Sequence, residues 1–165
     1  MNDIKLVALD FDGVLNNSSE AMSNGYYNLH PEMMKRLNKI IDLTTSERCP
    51  TKIVLSTTWR HEFGCFTGIN MFFEAVGIRP VCIGKTESFQ GHERGIEILE
   101  FIMRHQLVHN INVKHLCILD DDMDMGPMMP WLVNTVNKIG ITDEDIAHAV
   151  QMLNKPFKLE WKLNE

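Results

Sequence analysis

Ile4-Lys5-Leu6-Val7-Ala8-Leu9-Asp10-Phe11-Asp12-Gly13 is the stretch whose reading decides the fold. Ile4 to Leu9 is a short apolar run, rich enough in branched side chains to be a buried strand, and it stops abruptly on acidic residues. Residues two apart on an extended chain project to the same side, so Asp10 and Asp12 face one space while Phe11 turns into the core. Gly13 then lets the backbone turn sharply. Two neighbouring carboxylates repel, and the placement is tolerable when a cation lies between them or one shares a proton.

Downstream, apolar runs alternate with amphipathic ones. From Pro31 to Leu43, the residues Met33, Met34, Leu37, Ile40 and Ile41 recur at helical spacing, with Pro31 suited to the first turn. Lys52-Ile53-Val54-Leu55 reads as a second strand ending in Ser56-Thr57-Thr58, hydroxyls that can cap a helix starting near Trp59-Arg60. Met71, Phe72, Ala75 and Val76 predict a helical stretch stopped by Gly77, and Pro80 to Ile83 a third strand. Ile96, Leu99, Ile102 and Met103 mark an amphipathic helix out to about His109. Leu116-Cys117-Ile118-Leu119 is a fourth buried strand closed by Asp120-Asp121-Asp122-Met123-Asp124, and Trp131-Leu132-Val133 a fifth. Thr142-Asp143-Glu144-Asp145 supplies the N-cap and acidic first turn of a last helix to Leu153. This alternation predicts an α/β fold, a three-layer, Rossmann-like, mostly parallel sheet with right-handed crossovers. Ligands of such sheets bind beyond the carboxyl ends of the strands, where Asp10/Asp12, Ser56/Thr57 and Asp120/Asp121 fall.

Composition narrows the function classes. With 165 residues, 44% hydrophobic and 23% charged, the chain is expected to form a single domain over 1–165, with a tail at 154–165. A net charge of −6 gives no general attraction for nucleic acid or an anionic membrane, so a polyanionic substrate would need a local basic patch. Cys49, Cys65, Cys82 and Cys117 are widely spaced and form no C-x-x-C pair, which favours reduced thiols over a disulfide framework or zinc site. Met1 runs straight into the first strand with no room for a signal peptide, and no stretch approaches a membrane span, so a cytoplasmic location is expected.

The acidic cluster at Asp120 to Asp124, on a strand end distant in sequence from Asp10 and Asp12, supplies oxygen ligands for a hard divalent ion. Mg²⁺ suits it, taking one or two carboxylates together with waters and substrate phosphate. A calcium loop starting at Asp120 fails, because Met125 and Trp131 stand where a glycine and a bidentate glutamate belong. Asp120 to Asp122 would also suit the first strand of a phosphoacceptor receiver domain, but too little chain follows. His105 and His109, four apart on one helix, read as a solvated face, and the 11 methionines as core filling. Ser56 reads as a phosphate ligand ahead of a helix cap, Thr57 equally as either, and Arg60 equally as a phosphate ligand or a surface cation.

Asp10-Phe11-Asp12-Gly13-Val14-Leu15, Ser56 after Ile53-Val54-Leu55, Arg94-Gly95 opening a helix, and Leu119-Asp120-Asp121 together resemble the four motifs of the haloacid dehalogenase-like (HAD) phosphohydrolase superfamily. Leu55 to Arg60, Arg94 to Ile98, Ile118 to Asp124 and Gly140-Ile141-Thr142 are similar to the small HAD domains of multi-enzyme RNA-repair proteins. The resemblance implies that Asp10 attacks phosphorus to form an aspartyl-phosphate while Asp12 protonates the leaving oxygen and later activates water. It implies Mg²⁺ held by Asp10, the main-chain carbonyl of Asp12 and Asp121, with Asp120 beside them. It also implies that Ser56 bonds a phosphoryl oxygen and that Arg94, with Lys85 as competitor for the role, stabilises its charge.

Members acting on small metabolites commonly carry an inserted cap. Here the first gap leaves room for no more than a flap at 16–30, with Tyr26 and Tyr27 near its tip, so the domain is expected to be capless or nearly so. An open site suits a phosphorylated nucleotide or nucleic-acid end. The alternatives are a small-metabolite phosphatase and a non-catalytic phosphate-binding or regulatory module.

Overall fold

The computed structural model describes residues 2–17, 29–89 and 91–158. Five strands, β1 (Asn2–Leu9), β2 (Thr51–Leu55), β3 (Cys82–Lys85), β4 (Ile111–Asp120) and β5 (Leu132–Asn134), form one sheet in the order β3-β2-β1-β4-β5. Every pairing is parallel. Among the described residues, three α-helices connect strands, α1 (Pro31–Thr44), α2 (Phe66–Val76) and α3 (Arg94–Val108), and a fourth, α4 (Asp143–Met152), follows β5.

The near-continuous apolar strands follow from burial on both faces. Val7 and Leu9 of β1, Ile53 and Leu55 of β2, and Cys117 and Leu119 of β4 enter one apolar cluster with Leu37 and Ile40 of α1, Phe73 of α2 and Ile146 of α4. The alternate residues Leu6 and Ala8, Val54, and Leu116 and Ile118 enter a second cluster with Ile98, Leu99 and Ile102 of α3. Helices thus cover both faces of the sheet, and the three-layer expectation holds.

Strand order reverses beside β1, which has β2 on one side and β4 on the other. The register pairs Leu9 with both Leu55 and Leu119, so the residues after each, Asp10, Ser56 and Asp120, emerge side by side. The ladder continues into the site, since Asp10 N–H donates to the Leu119 carbonyl at 3.0 Å and Ser56 N–H to the Leu9 carbonyl at 2.9 Å. This is the crevice position of an open α/β sheet.

Two local readings change. The helix expected from Trp59 is a single 3-10 turn, Thr58–Glu62, and α2 begins separately at Phe66. The third strand runs Cys82–Lys85 rather than from Pro80, beside a register shift between Ile53 and Val54. β3 is an edge strand, and the Asn70 side chain lies against its outer side, taking the Cys82 N–H and donating to the Cys82 carbonyl, both at 2.9 Å. Most of the flap expected at 16–30, with Tyr26 and Tyr27, falls on residues 18–28, outside the described residues, as does 159–165 of the expected tail. The flap's described ends meet where His30 N–H bonds the Leu15 carbonyl at 2.7 Å. No helix of the described residues is long and apolar enough to cross a membrane, and all four cysteines are free thiols, with Cys82 and Cys117 buried.

Candidate active site

Asp10 is 5% and Asp120 0% exposed, so two carboxylates lie together away from water. A single guanidinium nitrogen of Arg94 bridges them, at 2.8 Å from Asp10 Oδ2 and 2.7 Å from Asp120 Oδ2. Asp10 Oδ1 accepts the Phe11 N–H at 2.7 Å, and the Thr57 hydroxyl, beside the same carboxyl group, favours its charged form. Burial pushes the Asp10 pKa up, with Arg94 and these donors pulling it partly back. Burial, together with the Asp10 charge, pushes Asp120 up to about 7. Two buried acids against one cation leave the cluster short of positive charge.

Asp121 completes the group. Ligand-capable oxygens of Asp10, Asp120 and Asp121 all lie within 4.8 Å of one another. An all-oxygen set with an uncompensated negative charge fits a hard divalent cation, which would supply the missing charge. Gly13 makes the approach of Asp121 possible: its φ is +72°, and a Cβ there would stand 2.5 Å from the Asp121 Cγ. Asn137, beyond β5, donates to Asp121 Oδ2. Gly95 has the same kind of role, since a Cβ would come within 1.9 Å of the Met125 carbonyl and lift the start of α3, and Arg94 with it, off the loop after β4.

Asp12 is held apart from the cluster by two donors. Asn16 Nδ2 reaches its Oδ1 at 2.8 Å and Trp59 Nε1 its Oδ2 at 3.0 Å. Ser56 Oγ is buried with no hydrogen-bond partner, an orphan hydroxyl beside Asp10 in the ladder. Thr57 caps the 3-10 turn, its oxygen accepting the Trp59 N–H at 3.4 Å, and its hydroxyl also lies beside Asp10, so the cap and site readings coexist.

The other two cations expected as phosphate ligands are engaged elsewhere. Lys85 Nζ donates to the carbonyls of Arg60, at 2.9 Å, and Phe63, pinning the 3-10 turn. Arg60 is buried, with one nitrogen on Glu97 Oε2 at 2.9 Å and the other on Thr86 Oγ1 at 2.9 Å. The other Glu97 oxygen accepts the Phe89 N–H at 3.1 Å, so this pair ties the loops after β2 and β3 to the start of α3. Of the sequence candidates, the structure brings Asp10, Asp120, Asp121, Arg94 and Thr57 together, with Asp12 and Ser56 adjoining in the chain and the ladder. The sequence reading missed Asn16, Trp59 and Asn137 as partners of acids, and Glu97 as the partner of Arg60. A polar Asn after Val14-Leu15 and an indole N–H needing an acceptor were the available signals.

Two other clefts lie elsewhere: one of ≈ 470 Å³ at the amino end of the sheet around Asn2, Pro50 and Lys52, another of ≈ 460 Å³ between β3 and α3. Neither is lined by the acids, and the chemistry-bearing residues decide for the strand ends.

A parallel five-stranded sheet with an acidic, arginine-bridged cluster at its strand-order reversal defines a HAD-like domain. The family model for the HAD domain in Swiss Army Knife RNA repair proteins matches residues 6–146, and the chain belongs to that family. No curated protein and no solved structure matches the chain.

Proposed function

We propose that the chain is a Mg²⁺-dependent phosphatase that hydrolyses a phosphomonoester through Asp10. The convergence of Asp10, Asp120, Asp121 and Arg94 from three separate stretches of sequence is the observation that carries this reading. Asp10, the Asp12 carbonyl and Asp121 would hold Mg²⁺, with Asp120 beside them. The ion offsets the charge of the carboxylates and of the phosphoryl oxygens when bound.

An Asp10 oxygen attacks phosphorus, and the bond from phosphorus to the ester oxygen breaks as Asp12 gives that oxygen its proton. Asp12, now ionised, takes a proton from water as that water attacks the aspartyl-phosphate, releasing inorganic phosphate and restoring both acids. Arg94 stabilises charge on the phosphoryl oxygens and favours the ionised form of Asp10 against its burial, and the orphan Ser56 hydroxyl offers one of those oxygens its missing hydrogen bond.

The substrate we favour is a phosphorylated polynucleotide end or a nucleotide. The matched family's association with RNA repair supports it, as does the short stretch between Leu55 and Arg94, whose described residues hold only the 3-10 turn, α2, β3 and loops. The net charge of −6 restricts contact to the terminus of a strand. Salt dependence should therefore be shallow, with a slope of about −0.7 per single-strand phosphate contacted. Free thiols throughout suit a reducing, cytoplasmic setting.

The test is turnover of oligonucleotide 3′- and 5′-phosphates, a mononucleotide and a sugar phosphate, with Mg²⁺ or with chelator. Asp10→Asn should keep the fold and lose turnover. An active Asp10→Asn variant, or indifference to chelator, would overturn the mechanism. A sugar phosphate preferred by orders of magnitude would overturn only the substrate.

A further inference from the structure

Both oxygens of Asp12 receive hydrogen bonds from groups that cannot accept a proton: the Asn16 amide nitrogen at 2.8 Å and the Trp59 indole nitrogen at 3.0 Å. Each donor is itself fixed. Asn16 is buried, and its oxygen accepts the Gly13 N–H at 3.1 Å, which settles that its nitrogen faces Asp12. Trp59 is 6% exposed and packs edge-on against Phe11, with ring centroids 5.1 Å apart and planes at 78°. Thr57, which caps this turn, lies beside the Asp10 carboxyl group, so one short segment reaches both acids through Thr57 and Trp59.

From this geometry, and resting on the phosphatase reading above, we infer that Trp59 is a positioning residue for proton transfer by Asp12. An aspartate side chain otherwise turns about two bonds. Two donors from different parts of the chain hold its carboxyl plane, so the lone pair that carries the proton points one way. Since neither donor can take that proton, it leaves only toward the ester oxygen or water. An indole satisfied by a backbone carbonyl would have had no such effect.

Trp59→Phe keeps an aromatic ring against Phe11 while removing the donor together with part of the indole. In single-turnover experiments it should slow phosphoryl transfer from an oligonucleotide 3′-phosphate by roughly 10–100-fold, the worth of one hydrogen bond to a charged group. Transfer from 4-nitrophenyl phosphate, whose leaving group needs no proton, should change little, while breakdown of the phosphoenzyme slows for both. KM should hold. In an Asp12→Asn background Trp59→Phe should add nothing further, because the two act as one unit. Equal first-step losses on both esters, or additivity with Asp12→Asn, overturns the inference. Asn16→Ala, which removes the other donor, must show the same split in case Trp59→Phe loosens the core.

One readout is independent of turnover. The indole N–H resonance absent from Trp59→Phe should move upfield in Asp12→Ala, and if it stays in place the hydrogen bond is refuted. If it moves but no phosphomonoester is turned over, the phosphatase reading is what has failed, and the positioning role falls with it.

Discussion

Replacing Glu97 by Gln should destabilise the protein by about 3–5 kcal/mol, although it changes almost no volume, because it leaves a buried cation without its counter-charge. Side chains of Arg60 and Glu97 are only 8% and 6% exposed and meet at 2.9 Å. Both Glu97 oxygens are in use, one on Arg60 and one on the Phe89 N–H. A carboxamide offers one acceptor oxygen, so one of these donors is left bare. For a domain of this size each kcal/mol moves Tm by about 2–4 °C, giving a fall of roughly 6–20 °C. The double variant Arg60→Met/Glu97→Leu should recover most of that loss, since apolar side chains of similar volume replace a buried pair at little cost. It also removes the Arg60 Nε, buried and without a partner. Urea unfolding of the wild type, both singles and the double closes the cycle, and KM for an oligonucleotide phosphate is measured on the double. A loss below about 1 kcal/mol for Glu97→Gln would mean the pair behaves as an exposed one and refute the reasoning. A stable double variant with a raised KM would return Arg60 to the role of phosphate ligand.

Arg94→Ala should lower turnover by roughly 10²–10³, as for one lost oxyanion-type donor, while Lys85→Ala acts mainly on stability; steady-state kinetics with melting curves check both, and the reverse ranking would exchange the roles. Asp120 has its pKa raised from 3.8 to about 7, so its stabilising share is full below the lower value and lost as pH rises through the upper one. Melting of the protein in chelator should accordingly show falling stability across that window, Asp120→Asn should flatten the slope, and a rise instead would contradict the burial of this acid. Gly13→Ala must accept a left-handed φ and displace Asp121, so calorimetry should find divalent-ion binding weakened along with a lowered Tm.

The layered parallel sheet, and the strand ends on which the acids fall, were legible because the signals were repeated. Each central strand is an apolar run buried on both faces, each ends in a polar residue, and parallel register then brings Asp10, Ser56 and Asp120 abreast without further instruction. The 3-10 turn was not legible. Thr57 supplies the cap expected of a helix, but Arg60 turns inward to Glu97, 37 residues away, and Lys85 takes the carbonyls of Arg60 and Phe63. Neither partner leaves a trace near residue 60. The start of β3 was misplaced for a similar reason, since Asn70 and the register shift at Ile53/Val54 decide where pairing begins. Asp12 could be placed on the same side as Asp10 from its spacing, yet its grip by Trp59 spans 47 positions and appears only once the chain is folded.

Asn70, lying against β3, also bears on how the protein behaves in a concentrated solution. An open sheet has two margins at which another chain can add itself through backbone hydrogen bonding, the route to fibres and precipitates. At one margin the Asn70 amide already occupies the outward N–H and C=O of Cys82, imitating the neighbour that would otherwise be recruited. At the other, β5 is only three residues long and gives an incoming strand little to grip. The molecule can therefore keep an apolar, fully parallel sheet without offering it as a template.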